Sequence, residues 1–389
     1  MSPPRVYLDH NATTPLRPQA RAAMLAALET LGNPSSIHAE GRAARTLVEQ
    51  ARGEIAAGLG TKARNVVFTS GSTEAANLIL TPFLQRDQTA AEAAEVELLL
   101  LGAGEHPAVL AGHRFPAARV ETIGLESEGA MSLDALADTL QRNKGRRILL
   151  ALQAANNETG SIQPVAAAAE LVHAAGGLVV CDATQAIGRL ATTFAGLGAD
   201  ALFFSSHKIG GPMGAGALAF ADDRLHIRET LLRGGGQEGG RRAGTENVAA
   251  IAGFAAAFAV AKEGVAAEAE RLGALRDRME AKIAEIWPEA VFLGVRGPRL
   301  PNTSAFLTPG QKTQTLLMAL DVEGVALSSG SACSSGKVKA SHVLAAMGFE
   351  EKAALRASLG WSSTEEDVDL FGIAFARVAK RIRARRTAA

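Results

Sequence analysis

The chain has 389 residues, enough for about two domains and a large buried core. Lys plus Arg and Asp plus Glu balance at 40 each, which removes the electrostatic case for nucleic acid or an anionic membrane as partner. Two cysteines, Cys181 and Cys333, make no disulfide framework and fit a reducing compartment.

Residues 1–8 lack the basic-then-apolar plan of a secretory signal, so a cytoplasmic location is expected. Apolar residues at helical spacing predict a helix over 43–59, ended by Gly60. A short β-type run at 65–70 is followed by a helix over 73–84, and the Ala/Glu-rich stretch 88–97 reads as a surface connection. Buried strands are expected at 97–101, 146–152 and 177–181, with helices at 107–114, 133–142 and 165–175 between them. The apolar run 201–208 is a further strand and leads into the Gly-rich stretch 210–216. The apolar run 248–261 falls short of the roughly 20 residues a bilayer requires and reads as a buried helix. A charged helix over 264–286 leaves this region. After Trp287 and Pro288 the elements shorten: strands at 291–295 and 303–307, helices at 312–320 and 365–384. The basic stretch 380–386 is the solvated end of the last helix, where cations suit the dipole. Strands joined by crossover helices imply an α/β fold, with a mostly parallel sheet covered by helices on both faces. The expected division is a large domain of residues 15–262 and a smaller α+β domain of residues 1–14 and 263–389.

The chemistry begins at two strand ends. Lys208 closes the run 201–208, and Asp182 closes the preceding buried run. Alone, the lysine is an ordinary loop residue and the aspartate an ordinary helix cap. Together they are what pyridoxal phosphate needs: an amine to condense with its aldehyde, and a carboxylate to keep its ring nitrogen protonated. Residues 68–75 (FTSGSTEA) read as strand, Gly turn and helix start, so backbone N–H groups point at an anion. Ser72 and Thr73 add hydroxyl donors there, and Ser205 and His207 can complete a phosphate cup. His106 follows a strand and can stack on a planar ring and move protons, or it is a surface histidine beside a turn. Asn157 in ANNETG (155–160) can donate to a ring hydroxyl or a substrate carboxylate, or it simply makes the turn.

Cys333 lies in LSSGSACSSGK (327–337), too polar and Gly-rich for a core. An accessible loop thiol suits a nucleophile that reaches a bound substrate, whereas Cys181, in an apolar strand, reads as structural. Arg356, one cation in an apolar strand-like run, suits a carboxylate clamp or a structural ion pair. The Gly-rich run 233–247 is a linker or an anion loop. No metal ligand set is read from the sequence.

In order and spacing these motifs resemble the cysteine desulfurases of the NifS/IscS group, within the fold-type I pyridoxal phosphate enzymes. The resemblance runs from YLDHNATTP (7–15) and GNPSS (32–36) to RASLG (356–360). It implies that Lys208 binds the cofactor, Asp182 pairs with the ring nitrogen, Gln185 contacts the ring oxygen and His106 stacks on the ring. Ser72, Thr73, Ser205 and His207 then hold the phosphate, and Thr245 reaches the phosphate of a neighbouring subunit, so a homodimer is implied. Asn33, Asn157 and Arg356 are implied at the substrate. The stretch 327–340 carries the longer, Ser-Gly-Ser-Ala-Cys type of catalytic loop. His10 and Asn11 stand where a Tyr-Ser pair is common, and Ala155 where Val is common. The implied reaction takes L-cysteine to L-alanine: Lys208 moves the Cα proton, and Cys333 takes the sulfur as a persulfide for delivery to an acceptor protein, such as an iron–sulfur scaffold. The alternatives are another activity of the same cofactor, a non-catalytic sulfur carrier, or a nucleotide-binding protein. The last lacks a Gly-x-Gly-x-x-Gly directly after a strand.

Overall fold

The computed structural model describes residues 5–86, 95–330, 340–349 and 353–387. Most of the connection expected at 88–97 therefore lies outside the described residues, as does Cys333.

Seven strands form the central sheet. In spatial order they are Val66–Thr69, Gly216–Phe220, Ala201–Ser205, Leu178–Asp182, Ile148–Gln153, Leu98–Gly102 and Val120–Ile123. The ladders are parallel except for the two made by Gly216–Phe220, which runs antiparallel to both neighbours. Every residue of Leu98–Gly102, Ile148–Gln153 and Ala201–Ser205 is buried, because helices cover both faces. Such strands read as unbroken apolar runs rather than alternating ones. The helix Val248–Glu263 is apolar nearly all round and packs Phe254 and Phe258 against Phe204.

The departures from expectation have local causes. The helix expected over 73–84 stops at Ile79, just short of Thr81-Pro82, where proline forbids a helical predecessor. The helix expected over 107–114 is one turn, Pro107–Leu110, with Ala111 as its C-cap. The strand expected over 291–295 is only Val291–Phe292, since Gly294 turns into the left-handed region at φ +69. The strand expected over 201–208 ends at Ser205, and Ser206–Lys208 coil into a single 3₁₀ turn that carries Lys208 off the sheet. The helix Pro18–Leu28 and the strands Val120–Ile123 and Gly216–Phe220 were not anticipated.

A second, antiparallel sheet has the order Val291–Phe292, Thr303–Leu307, Leu355–Ser358, Ser328–Ser329. The N-terminal strand Val6–Tyr7 pairs in parallel with Val325–Ala326. Val6 and Leu8 share one apolar cluster with Leu272 and Met279 of the helix Val265–Ile286, and with Phe371 and Phe375 of the helix Glu365–Thr387. The N-terminus thus packs with the C-terminal third of the chain. Among the described residues no single helix is long and apolar enough to cross a membrane; Val248–Glu263 and Val265–Ile286 would suffice only together, and they are bent by 75°.

Candidate active site

The carboxyl ends of the parallel strands open on one cavity of about 690 Å³. Ser72, Thr73, His106, Asn157, Asp182, Gln185, Ser205, His207, Lys208 and Arg356 all line it. Thr245 and Asn33 do not, and within their own chain both are exposed.

At one end sits the turn between Val66–Thr69 and the helix Ser72–Ile79. The turn lies directly on the neighbouring strand, where a Cβ on Gly216 would fall 2.6 Å from the Gly71 Cα. Only glycine permits that approach. It brings the free N–H groups of the helix start into the cavity beside Ser205. The Ser72 and Thr184 hydroxyls are hydrogen-bonded at 2.8 Å. His207 lies at the same end, its Nδ1 3.2 Å from the Thr13 hydroxyl. Burial, then the charges of Lys208 and Arg189, push its pKa down to about 4, so at neutral pH it is an uncharged hydrogen-bonding group rather than a cation.

Deeper in, the Asp182 carboxylate accepts the Thr184 N–H at 2.9 Å. Burial raises its pKa, while Thr184, His106 and Lys208 oppose that rise. A cationic ring nitrogen is the partner that would compensate its desolvation. Gln185 donates from Nε2 to the Asn11 carbonyl at 3.0 Å, while its buried Oε1 has no partner. That orphan acceptor needs an O–H or N–H from a bound molecule. His106 Nδ1 accepts the Ala108 N–H at 3.1 Å, which caps the short helix and leaves the ring proton on Nε2. Burial lowers its pKa, and the Asp182 charge only partly offsets this. The structure thus shows the turn reading of His106, and its place in the cavity lining is compatible with the functional one.

Lys208 Nζ donates to the carbonyls of Asn11 and Ala12, at 2.7 and 2.8 Å. Those carbonyls belong to the N-terminal segment, which Asn11 Nδ2 ties to the Thr303 hydroxyl at 2.9 Å. Arg356 is 3% exposed. It donates to the Asn157 carbonyl at 2.9 Å and to Asp9 at 2.7 Å, and its buried Nε has no partner. The ion pair and the carboxylate clamp are thus compatible, because a guanidinium donor remains for a substrate anion.

Sequence reasoning passed over several groups here. Asp9 holds Arg356, although it stands inside the motif YLDHNATTP. Glu105 is fully buried with its pKa raised well above the usual carboxylate range; it accepts the Gln153 N–H at 2.9 Å and so fixes the turn that carries His106. Glu158 accepts the Ser341 hydroxyl at 2.6 Å. Cys181 is buried in its strand, its thiol pKa raised by desolvation, as befits a core residue. Ser328 and Gly330, just before the segment that contains Cys333, line the cavity. The residues present fit pyridoxal phosphate: an anion turn, a carboxylate, an unpaired acceptor, a lysine amine and a guanidinium all line one cavity.

The aminotransferase class-V family model matches residues 6–371. A cysteine desulfurase from Frankia sp. (strain EuIK1) is 39% identical, over 97% of this chain and 92% of that protein. The crystal structure of a NifS-like protein from Rickettsia africae superposes with a TM-score of 0.85 at 30% identity, covering 97% of this chain and 99% of that one. A structure described as SspA in complex with cysteine matches with a TM-score of 0.75 at 26% identity, over 91% and 98% of the two chains.

Proposed function

The chain belongs to the aminotransferase class-V family, and from that premise we infer that it is a cysteine desulfurase, converting L-cysteine to L-alanine with transfer of the sulfur to Cys333. The observation that carries this reading is the convergence of Lys208, Asp182 and Arg356 on one cavity whose rim includes Gly330, three residues before Cys333.

Lys208, Asp182, Gln185 and His106 would hold the pyridine ring of pyridoxal phosphate; Ser72, Thr73, Ser205 and His207 would hold its phosphate. When bound, the cofactor supplies an electron sink that makes the substrate Cα–H acidic and its C–S bond labile. The chain's own groups do the rest. Arg356 orients the substrate carboxylate through its unpaired Nε. Lys208 takes the Cα proton, and its resting contacts with two carbonyls keep the amine aimed into the cavity. The Cys333 thiolate attacks the substrate sulfur: an S–S bond forms, the C–S bond breaks, and its electron pair stays on the carbon skeleton, which is protonated to alanine. At neutral pH only a few per cent of an ordinary thiol is ionised, so a proton acceptor helps. Neutral His106 in the cavity suits that task.

A homodimer belongs to the same proposal. Thr245 is exposed on its own chain, and Leu28, Leu31 and Ile37 are 66, 81 and 88% exposed, which favours cover by a second copy. The sulfur acceptor is proposed as a separate protein presenting a thiol, as an iron–sulfur scaffold does. The Cys333 nucleophile must start as a free thiol, which a reducing compartment preserves, so a cytoplasmic location stays part of the proposal.

The test is incubation of the holoenzyme with L-cysteine. Intact-mass analysis should show one added sulfur on the chain, lost in Cys333→Ser, with L-alanine as product. A Cys333→Ser variant that still releases sulfide at the wild-type rate overturns the proposal; a keto acid product in place of alanine points to transamination.

A further inference from the structure

A carboxylate stands where the cavity is built to attract an anion. Glu74 lies in the first turn of the helix Ser72–Ile79 and lines the cavity next to Thr73. In a bare helix that position is favourable, because the charge complements the dipole. Beside a bound phosphate the same charge is repulsive. Glu74 also occupies one of the loop's own donors, since its Oε2 accepts the Ser70 N–H at 2.9 Å.

The compensating charge arrives from 168 residues away. Arg242 Nε lies 2.9 Å from Glu74 Oε1, and Nη2 lies 3.4 Å from Oε2. Both side chains are mostly buried, at 21% and 12% exposure. Burial works against ionisation of Glu74, but Arg242 and Ser70 outweigh it and hold the carboxyl below its ordinary pKa. The segment that delivers Arg242 is the Gly-rich run 233–247, and it is anchored without this pair. Glu238 makes a two-pronged ion pair with Arg52 at 2.6 and 2.8 Å and accepts the Phe68 N–H at 2.8 Å. Gln237 accepts the Gly244 N–H at 3.1 Å. Loss of the Arg242 charge therefore leaves the run in place and exposes Glu74 to the anion turn.

We propose that Arg242 is a positioning residue for the phosphate end of the site: by neutralising and turning aside Glu74 it keeps the anion turn electropositive, and so sets the affinity for the cofactor's phosphate. This rests on the reading of the cavity as a pyridoxal phosphate site. It assigns a role to a residue of the Gly-rich run other than Thr245.

The experiment is titration of apoprotein with pyridoxal phosphate and, in parallel, with pyridoxal, which lacks the phosphate. Arg242→Met should weaken pyridoxal phosphate binding by on the order of 10–100-fold, as expected for an uncompensated charge in a partly buried site, and leave pyridoxal binding unchanged. Glu74→Gln alone should bind pyridoxal phosphate at least as tightly as wild type. Glu74→Gln added to Arg242→Met should restore wild-type affinity to within about threefold. The inference is overturned if Glu74→Gln alone weakens pyridoxal phosphate binding by roughly tenfold or more, or if the double variant is not rescued, because the pair is then only a clip for the loop. Glu74→Gln tests the idea even if Arg242→Met fails to fold. A wild-type protein that binds neither ligand overturns the cofactor reading instead.

Discussion

Lowering the pH from 7 to 5 should destabilise the protein by about 2 kcal/mol through His10 alone. The ring is 1% exposed, and its Nδ1 is buried without a partner. Gly360 packs so closely on the imidazole that a Cβ there would collide with it. Desolvation, then the charge of Arg189, push the His10 pKa down to about 3, against a small upward effect from the Tyr7 backbone. The folded value lies below the unfolded value of about 6.5, so on acidification the unfolded chain takes up the proton first. Stability is therefore complete above about pH 6.5 and falls as the pH drops toward 3, at about 1.4 kcal/mol per unit. From 6.5 to 5 that is about 1.5 units, hence about 2 kcal/mol. The assay is denaturant unfolding of holoenzyme at pH 7 and pH 5, for wild type and for His10→Phe. Carboxylates elsewhere titrate in both proteins and cancel in the comparison. The pH-dependent loss should be about 2 kcal/mol smaller in His10→Phe; equal losses in the two proteins would refute the reasoning. The effect bears on activity, because the His10 carbonyl accepts from Thr14 and Arg189, and the next residue, Asn11, holds Lys208 and Gln185.

Two further outcomes are expected. Arg356→Lys removes the planar fork that serves Asp9, the Asn157 carbonyl and a substrate carboxylate together; a charge-assisted hydrogen bond is worth about 1.5–3 kcal/mol, so KM for L-cysteine should rise roughly 10–100-fold, with a smaller change in kcat. An unchanged KM in steady-state assays removes the clamp. Glu238→Ala leaves the Phe68 N–H buried without its partner and leaves Arg52 only the exposed Glu49 and the Val66 carbonyl, and thermal or denaturant unfolding should show a loss of about 2–4 kcal/mol; a loss below about 1 kcal/mol would place that pair among the weak surface bridges.

The parallel strands were legible because burial on both faces leaves unbroken apolar runs, and their crossover helices fall between them. The expected helix 133–142 and strand 303–307 coincide with Leu133–Arg142 and Thr303–Leu307. The strand Gly216–Phe220 was hidden: it follows directly on a Gly-rich run and is short and rich in Ala, so local propensity is silent about it. Its place in the sheet comes from pairing with both Val66–Thr69 and Ala201–Ser205.

The residues that carry the chemistry were readable one by one, because lysine, aspartate and arginine within or just after apolar runs are costly unless used. Their partners were not readable. Asp9 meets Arg356 across 347 positions, and Arg242 meets Glu74 across 168. Sequence by itself determined the buried parallel strands with their crossover helices and which groups can react, since both depend on local pattern and side-chain type. Only the tertiary structure decided which charges neutralise one another, since electrostatic pairing depends on distances in space that spacing along the chain does not encode.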